Sequence, residues 1–289
     1  MGNFRGAVLM VLAMFGFALE DMMIKLLADA ISVGQILFML GIGGSIVFGA
    51  VVIFQGQPLW SRDMFSTTIA LRALGEMIGS ICFVSAFVLT SISSASAILQ
   101  ATPLVVTLGA ALFLNEPVGW RRWSAILVGL FGVLLIIRPG LDSFEVLSLL
   151  AVGGVFCLAI RDLATRKVPA SVSSMQLSFL GFVVIIPAGA ALLLATGSIV
   201  VKPNTTEWGI FGLTLGIGLF AYYAIVAAMR VGEVSFVTPF RYTRLLFALV
   251  IGVAVFEESP DTLTLVGAFI IVASGIYTIW RERRLSVQP

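Results

Sequence analysis

The chain has 289 residues, of which 60% are hydrophobic and only 11% are charged. About a quarter of the residues of a soluble domain are charged, so this composition excludes a water-soluble globule and predicts an integral membrane protein. The net charge of +2 gives no reason to expect a nucleic-acid partner. The chain has no histidine, the side chain that most often binds metals and moves protons near neutral pH. We therefore expect neither a metal site nor a cofactor.

Apolar runs separated by Gly, Pro and charge clusters predict an all-α membrane protein with ten transmembrane helices. A span needs about 20 apolar residues, and the candidate spans are 4–27, 32–54, 67–89, 93–114, 120–138, 144–164, 173–195, 206–229, 233–256 and 261–280. Short loops leave almost no extramembrane domain. The expected partners are the lipid bilayer and a small-molecule substrate, and no oligomeric state follows from the sequence.

The distribution of Lys and Arg predicts the orientation, because basic residues favour the cytoplasmic ends of spans. If the N-terminus is cytoplasmic, the cytoplasmic segments hold Arg5, Arg62, Arg121, Arg122, Arg166, Lys167, Arg230, Arg281, Arg283 and Arg284. The opposite segments hold only Lys25, Arg138 and Lys202. We therefore expect both termini in the cytoplasm.

The two halves of the chain resemble each other. An offset of 141 residues aligns rare polar residues, namely Asp21 with Asp162, Ser32 with Ser173 and Gln35 with Gln176. The offset places five spans in residues 1–140 and five in residues 141–289. Because five is odd, the two halves must insert in opposite orientations, which predicts an inverted repeat of the kind found in secondary transporters.

Two stretches resemble the paired signature regions of EamA-type proteins of the drug/metabolite transporter superfamily. They are residues 102–140, which begin TPLVVTLGAALFLNEP, and residues 238–283, which begin TPFRYTRLLFALVIG and end in WRER. This resemblance implies a ten-helix exporter of small metabolites in a bacterial inner membrane, with amino acids, including aromatic ones, as the expected substrates. It also implies a central cavity lined mainly by spans three, four, eight and nine, with the first and sixth.

Charged residues within spans are functional candidates, because a charge near the bilayer centre costs a few kcal/mol even on lenient scales. Arg72 and Glu76 are four residues apart in the third span and share one helix face. Either the two side chains neutralise each other, or Glu76 meets a substrate ammonium or takes up a proton. Both interpretations remain open at the level of sequence.

The ninth span carries a second group of candidates. Arg244 is predicted near the midplane, where a guanidinium offers bidentate hydrogen bonds to a substrate carboxylate. Arg241 lies three residues earlier, and Gln100 occupies the repeat position equivalent to it. Tyr223 and Tyr242 complete the predicted substrate-binding set, although aromatic side chains on spans more often pack against neighbouring helices.

Pro103 and Pro239 occupy comparable positions in the fourth and ninth spans. Each proline removes a helical hydrogen bond, so we predict helix breaks near a central site. The alternative for each is a packing kink without a functional role.

Acidic and basic residues also lie near the ends of the first and sixth spans. Glu20 and Asp21 are equivalent in the repeat to Arg161 and Asp162. We interpret these four residues and Arg72 as gate or structural ion pairs at the mouths of the cavity.

Other functions make different demands on the sequence. A sugar or nucleotide-sugar carrier, or a lipid-linked flippase, would favour a larger basic cavity without a carboxylate beside the arginines. An intramembrane enzyme would need a nucleophile and a base, but Asp21 and Asp162 are predicted near opposite membrane faces, so we expect no enzyme. A passive channel is disfavoured by the inverted repeat. No ATP-binding loop is present, which favours a secondary carrier that works by alternating access.

Overall fold

A computed structural model describes residues 2–113, 120–138, 145–165, 167–169, 171–231 and 237–286. Within these residues the chain is helical and contains no strand. The α-helices are α1 (Gly2–Leu27), α2 (Val33–Phe54), α3 (Thr67–Leu89), α4 (Ile92–Leu99), α5 (Thr102–Phe113), α6 (Trp120–Ile137), α7 (Ser148–Thr165), α8 (Ser174–Thr196), α9 (Thr205–Val231), α10 (Thr243–Phe256) and α11 (Thr262–Ser286). Two 3-10 turns, Arg62–Phe65 and Thr238–Tyr242, precede α3 and α10.

These helices coincide with the ten predicted spans. Helices α4 and α5 together form the fourth span, and the turn at 238–242 with α10 forms the ninth. Among the described residues, seven segments are long and apolar enough to cross a membrane, and α6 and α11 contribute the shorter apolar helices Trp123–Ile137 and Thr262–Tyr277. The prediction of an all-α membrane protein is confirmed.

The helix pairs reveal an internal two-fold relation. The main contacts join α1 with α9, α3 with α7, α2 with α8 and α6 with α11, and α4 also packs on α10. Exchanging each helix with its repeat equivalent turns the α1–α9 pair into the α7–α3 pair and leaves the other pairs unchanged. The two repeats therefore interlock rather than lie side by side.

The equivalent helices α2 and α8 run antiparallel. Along α2, close contacts pass from Leu193 to Ile186 and then to Phe179, opposite Gly34, Gly41 and Gly49. The partner number falls as the α2 number rises, so the two helices point in opposite directions. Because α2 and α8 are equivalent in the repeat, the repeats are inverted.

Polar residues aligned by the repeat have the same structural role in both halves. Ser32 and Ser173 are the N-caps of α2 and α8, and their hydroxyls accept from the N–H groups of Gln35 (3.4 Å) and Gln176 (3.2 Å). The glutamine side chains then donate to backbone carbonyls of the other repeat, at Val201 for Gln35 (2.6 Å) and at Pro58 for Gln176 (2.8 Å). These bonds tie the repeats together at the ends of α2 and α8.

Glycines allow α3 and α7 to pack closely. A Cβ atom on Gly75 would lie 2.7 Å from the Cys157 carbonyl oxygen, and one on Gly79 would lie 2.9 Å from the Leu158 side chain. Small residues permit such backbone approach between membrane helices. The close packing brings Glu76 of α3 next to the charged end of α7.

Candidate functional site

The fourth and ninth spans are interrupted where the prolines lie. Helix α4 ends at Leu99, with Gln100 as its buried C-cap, and α5 begins at Thr102, which places Pro103 at its second position. Pro239 lies in the 3-10 turn before α10, and its side chain is outside the described residues. Both breaks adjoin the α4–α10 contact between the repeats.

Arg244 and Asp21 form a buried ion pair between the two repeats. The Nη2 and Nε atoms of Arg244, in the first turn of α10, donate to Oδ2 of Asp21 on α1 at 2.6 and 3.2 Å. The two side chains are only 16% and 6% exposed. A residue predicted to bind substrate therefore contacts a residue predicted to act in a gate or structural pair.

Two aromatic rings flank this ion pair. The Arg244 guanidinium carbon lies 5.2 Å from the centroid of the Phe17 ring and 5.4 Å from that of Phe83. Rings at this distance attract a cation through their quadrupoles. Phe83 also packs edge-on against Phe87, with 5.2 Å between the ring centroids. The site thus combines a cation, a carboxylate and flat apolar walls.

A second ion-pair network joins α3 and α7. Glu76 Oε1 accepts from Arg161 at 3.0 Å, and Glu76 Oε2 lies 3.7 Å from Arg72. Arg161 also pairs with Asp162 at 2.8 Å, and Arg72 donates to Thr165 at 3.2 Å. Two arginines and two carboxylates meet here, so their charges balance within the network.

The remaining predicted binding residues lie in different surroundings. Arg241 is half-buried in the turn before α10, close enough to Asp162 and Arg161 of α7 and to Arg244 to be affected by their charges. Tyr242 is buried against Gly275, and its hydroxyl has no hydrogen-bond partner among the described residues. Tyr223 is 64% exposed. The structure therefore places Arg241 near the buried charges, buries Tyr242 against α11 and places Tyr223 at the surface of α9.

Sequence reasoning did not find a further contact between the repeats. The Glu258 carboxylate, just after α10, accepts from the backbone N–H groups of Ile92 (2.6 Å) and Ser93 (3.1 Å) at the start of α4. Lys25 lies 3.4 Å from Glu258 and donates to the Thr90 carbonyl at 2.6 Å. A carboxylate is favourable at a helix N-terminus. We call these five residues the Lys25–Glu258 cluster.

A related charged contact lies nearby. Asp261 caps α11 by accepting from the Thr264 N–H at 3.0 Å, and it also binds Arg138 at the end of α6. The Arg138 hydrogen bond lowers the pKa of Asp261 to about 2, so this cap stays ionised at physiological pH. A cleft of about 370 Å³ between this contact and Glu258 is lined by serines of α4 and α7. Charged contacts therefore hold the repeats together at this end.

The fold and the charged interface between inverted repeats define a two-repeat membrane transporter. The chain belongs to the EamA-like transporter family, whose model matches residues 4–138 and 147–280. The two matched segments contain five predicted spans each. The family predicted from residues 102–140 and 238–283 is confirmed.

Curated relatives carry transporter names with different substrates. A riboflavin transporter of Vibrio cholerae is 34% identical over 192 residues, which are 65% of this chain and 63% of the length of that transporter. An S-adenosylmethionine uptake transporter of Rickettsia prowazekii is 23% identical, covering 97% of this chain and 94% of that one. A pseudopaline exporter of Pseudomonas aeruginosa is 24% identical, covering 94% of each. These names include both uptake and export.

A solved crystal structure shares the fold with a TM-score of 0.59 at 17% identity. The match covers 95% of this chain and 98% of the other. At this identity the similarity supports the fold alone.

Proposed function

We propose that this protein is a secondary carrier that exports small zwitterionic metabolites with an amino-acid head group, aromatic amino acids among them, from a bacterial cytoplasm. The observation that carries the proposal is the buried Arg244–Asp21 pair between the rings of Phe17 and Phe83. The proposal includes an inner-membrane location with both termini in the cytoplasm.

The ion pair suits a zwitterion because its two charges can exchange partners. The carboxylate of the solute binds Arg244, and its ammonium binds Asp21, so neither buried charge is left without a counter-charge. Leaving one charge of a buried pair unpaired is strongly unfavourable. A solute with both charges therefore opens the pair at lower cost than a solute with only one.

The flanking rings favour a solute with a flat apolar part. Aromatic rings of proteins and ligands pack in offset or edge-on arrangements that add to apolar burial. S-adenosylmethionine, named for one relative, combines an amino-acid head group with a flat purine. Riboflavin, named for another, has a large flat ring system but no ammonium, and it is the second candidate substrate.

Alternating access assigns a role to the Lys25–Glu258 cluster. The cluster joins α1, α4 and the end of α10, elements of both repeats. We propose that these contacts form when this end of the carrier is closed and separate when it opens. On the proposed topology this is the end facing away from the cytoplasm.

Counterflow in proteoliposomes tests the substrate, and efflux from intact cells tests the direction. Vesicles containing the full-length carrier are loaded with unlabelled tyrosine, phenylalanine, S-adenosylmethionine or riboflavin, and uptake of the labelled compound is measured. We expect exchange of the amino acids and loss of exchange in an Arg244→Met variant, with an Arg62→Met variant as the exposed control. Exchange of riboflavin alone would replace the proposal with the second candidate, and export is tested by efflux from intact cells.

A further inference from the structure

The internal symmetry is broken at Glu20. Its repeat equivalent is Arg161 of α7, which pairs with Glu76 of α3 at 3.0 Å. The symmetry-equivalent contact joins α1 with α9, and there Glu20 meets Gly218, next to the position equivalent to Glu76. One of the two equivalent contacts thus contains an ion pair, and the other contains a carboxylate against a glycine.

The Glu20 carboxylate lies directly against the α9 backbone. A Cβ atom on Gly218 would overlap the carboxylate, so only glycine leaves room for this arrangement. Glu20 forms no hydrogen bond and no ion pair with any other residue that the structure describes. The Glu20 side chain is partly buried and lies beside the Arg244–Asp21 pair.

The charged groups that face Glu20 do not supply it with a counter-ion. Asp21 on the same helix is negative, and Arg244 on α10 is bound to Asp21. Helix α9 contributes Gly218 and has no ionisable side chain between Glu207 and Tyr222. Two carboxylates therefore share one guanidinium, and a second ionised carboxylate would be an uncompensated charge in a low-dielectric site.

We propose that Glu20 is a proton-binding site of this carrier. The proton neutralises the second carboxylate, so the site formed by Glu20, Asp21 and Arg244 is neutral when empty and remains neutral when a zwitterion enters. The solute is then carried together with this proton. A solute with one more cationic group displaces the proton. The extra cation forms an ion pair with Glu20, and the proton is released to bulk water.

The role of the proton in transport rests on the proposed function, but the proton site itself does not. Infrared difference spectroscopy on the full-length carrier in lipid vesicles, without any solute, measures the C=O band of a protonated carboxylic acid as pH is raised. We expect a band near neutral pH that disappears at higher pH, is absent in Glu20→Gln and is unchanged in Glu257→Gln, an exposed control. A band that persists in Glu20→Gln, or no band in the unaltered carrier, would overturn the proposal.

A second variant keeps the acid and changes only its surroundings. Gly218→Ala displaces the Glu20 carboxylate from α9, so the pH midpoint of the band should shift while the band remains. Gly209→Ala, on an open part of the same helix, should leave the midpoint unchanged. An unaltered midpoint in Gly218→Ala would contradict the assignment of the band to Glu20. Failure of the counterflow assay with an intact band would refute the proposed substrates and not the proton site.

Discussion

In the proposed function, Arg244 is the residue whose surroundings restrict the choice of substrate most. Its guanidinium is held by Asp21 and by two aromatic rings, so it is oriented before a solute arrives. A guanidinium held in one orientation binds a carboxylate through two parallel hydrogen bonds. The ammonium group of a lysine side chain cannot reproduce this geometry. The chemistry of this side chain therefore favours solutes with a carboxylate.

We expect Arg244→Met to weaken solute binding roughly 10- to 100-fold, because a hydrogen bond to a charged group contributes about 1.5–3 kcal/mol. Arg244→Lys should recover part of the affinity. Isothermal titration of the purified carrier measures both variants against Arg62→Met. Unchanged binding and export by Arg244→Met at normal protein levels would show that Arg244 is not the carboxylate site.

Glu76 has one more charged partner than the sequence suggests. It contacts Arg161 as well as Arg72, so two cations already compensate its charge. We expect Glu76→Gln to lower the free energy of unfolding and to have a smaller effect on the rate of transport. Removing one partner of a buried pair costs about 3–5 kcal/mol, and because these side chains are 15–24% exposed, the loss should fall at or below the lower end.

Thermal unfolding in detergent measures this effect, with Glu145→Gln as an exposed control. Transport by Glu76→Gln across a pH series provides the second measurement. Retained folding with loss of transport at every pH would instead support ammonium binding by Glu76. Preserved exchange with lost pH dependence would move the proton site from Glu20 to Glu76.

At the scale of helices, the start of α4 depends on a residue from the other repeat. Glu257 adopts a left-handed backbone conformation, with φ of 52°, and this conformation ends α10. The change of chain direction brings Glu258 to the start of α4. The following carboxylate is thereby aimed at the N–H groups of Ile92 and Ser93. A cap that crosses between repeats links the position of α4 to that of α10.

We expect Glu258→Gln to lower stability by about 1–2 kcal/mol, the usual cost of losing a helix cap, and to expose the start of α4. The measurement is the labelling rate of Ser93→Cys by a membrane-impermeant thiol reagent, in a chain with Cys82 and Cys157 replaced by Ala. Glu257→Gln is the adjacent control. Equal labelling rates in the two variants would exclude a closing role for Glu258.

Helix contacts also differ between equivalent glycines. A Cβ atom at Gly75 would lie 2.7 Å from a backbone oxygen of α7, whereas one at Gly216, its repeat equivalent, would meet nothing within 4 Å. We expect Gly75→Ala to destabilise the fold by about 1–3 kcal/mol through overpacking. Gly216→Ala should be neutral or more stable by up to about 1 kcal/mol, because alanine favours a helix over glycine. Thermal unfolding of both variants compares them, and an equal effect would contradict the close α3–α7 contact.

At the scale of the whole molecule, inversion of the repeats and charge bias together predict the topology. Ten basic residues lie in the segments on the side of the two termini and three lie in the opposite segments, which favours cytoplasmic termini. We expect reporter fusions after residue 58 and at the C-terminus to report the cytoplasm. A periplasmic signal from either fusion would refute this orientation.

On the proposed alternating-access mechanism, the inverted repeat lets one interface serve two conformations. The contacts of α1 with α9 and of α3 with α7 are equivalent by symmetry, but their polar residues differ, as Glu20 and Arg161 show. An inverted repeat can open to either side by exchanging the conformations of its halves. On this proposed mechanism, charge differences between equivalent contacts allow a proton or a solute to favour one arrangement.

The sequence by itself determined the spans, the inverted repeat and the family. Spans are local, because crossing the bilayer needs about 20 consecutive apolar residues, and five spans per repeat impose inversion. The proximity of Arg72 and Glu76 was also predictable, since residues four apart share a helix face.

Only the tertiary structure decided which charges meet across the repeats. Asp21 and Arg244 are separated by 223 residues, and Glu258 is 166 residues from Ile92. Hydropathy indicates how apolar a helix is. It does not indicate the tilt of the helix, its rotation about its axis or the depth at which it crosses another helix. Those quantities depend on packing between helices, such as the close approach at Gly75, and they bring Arg161 to Glu76 and leave Glu20 against Gly218.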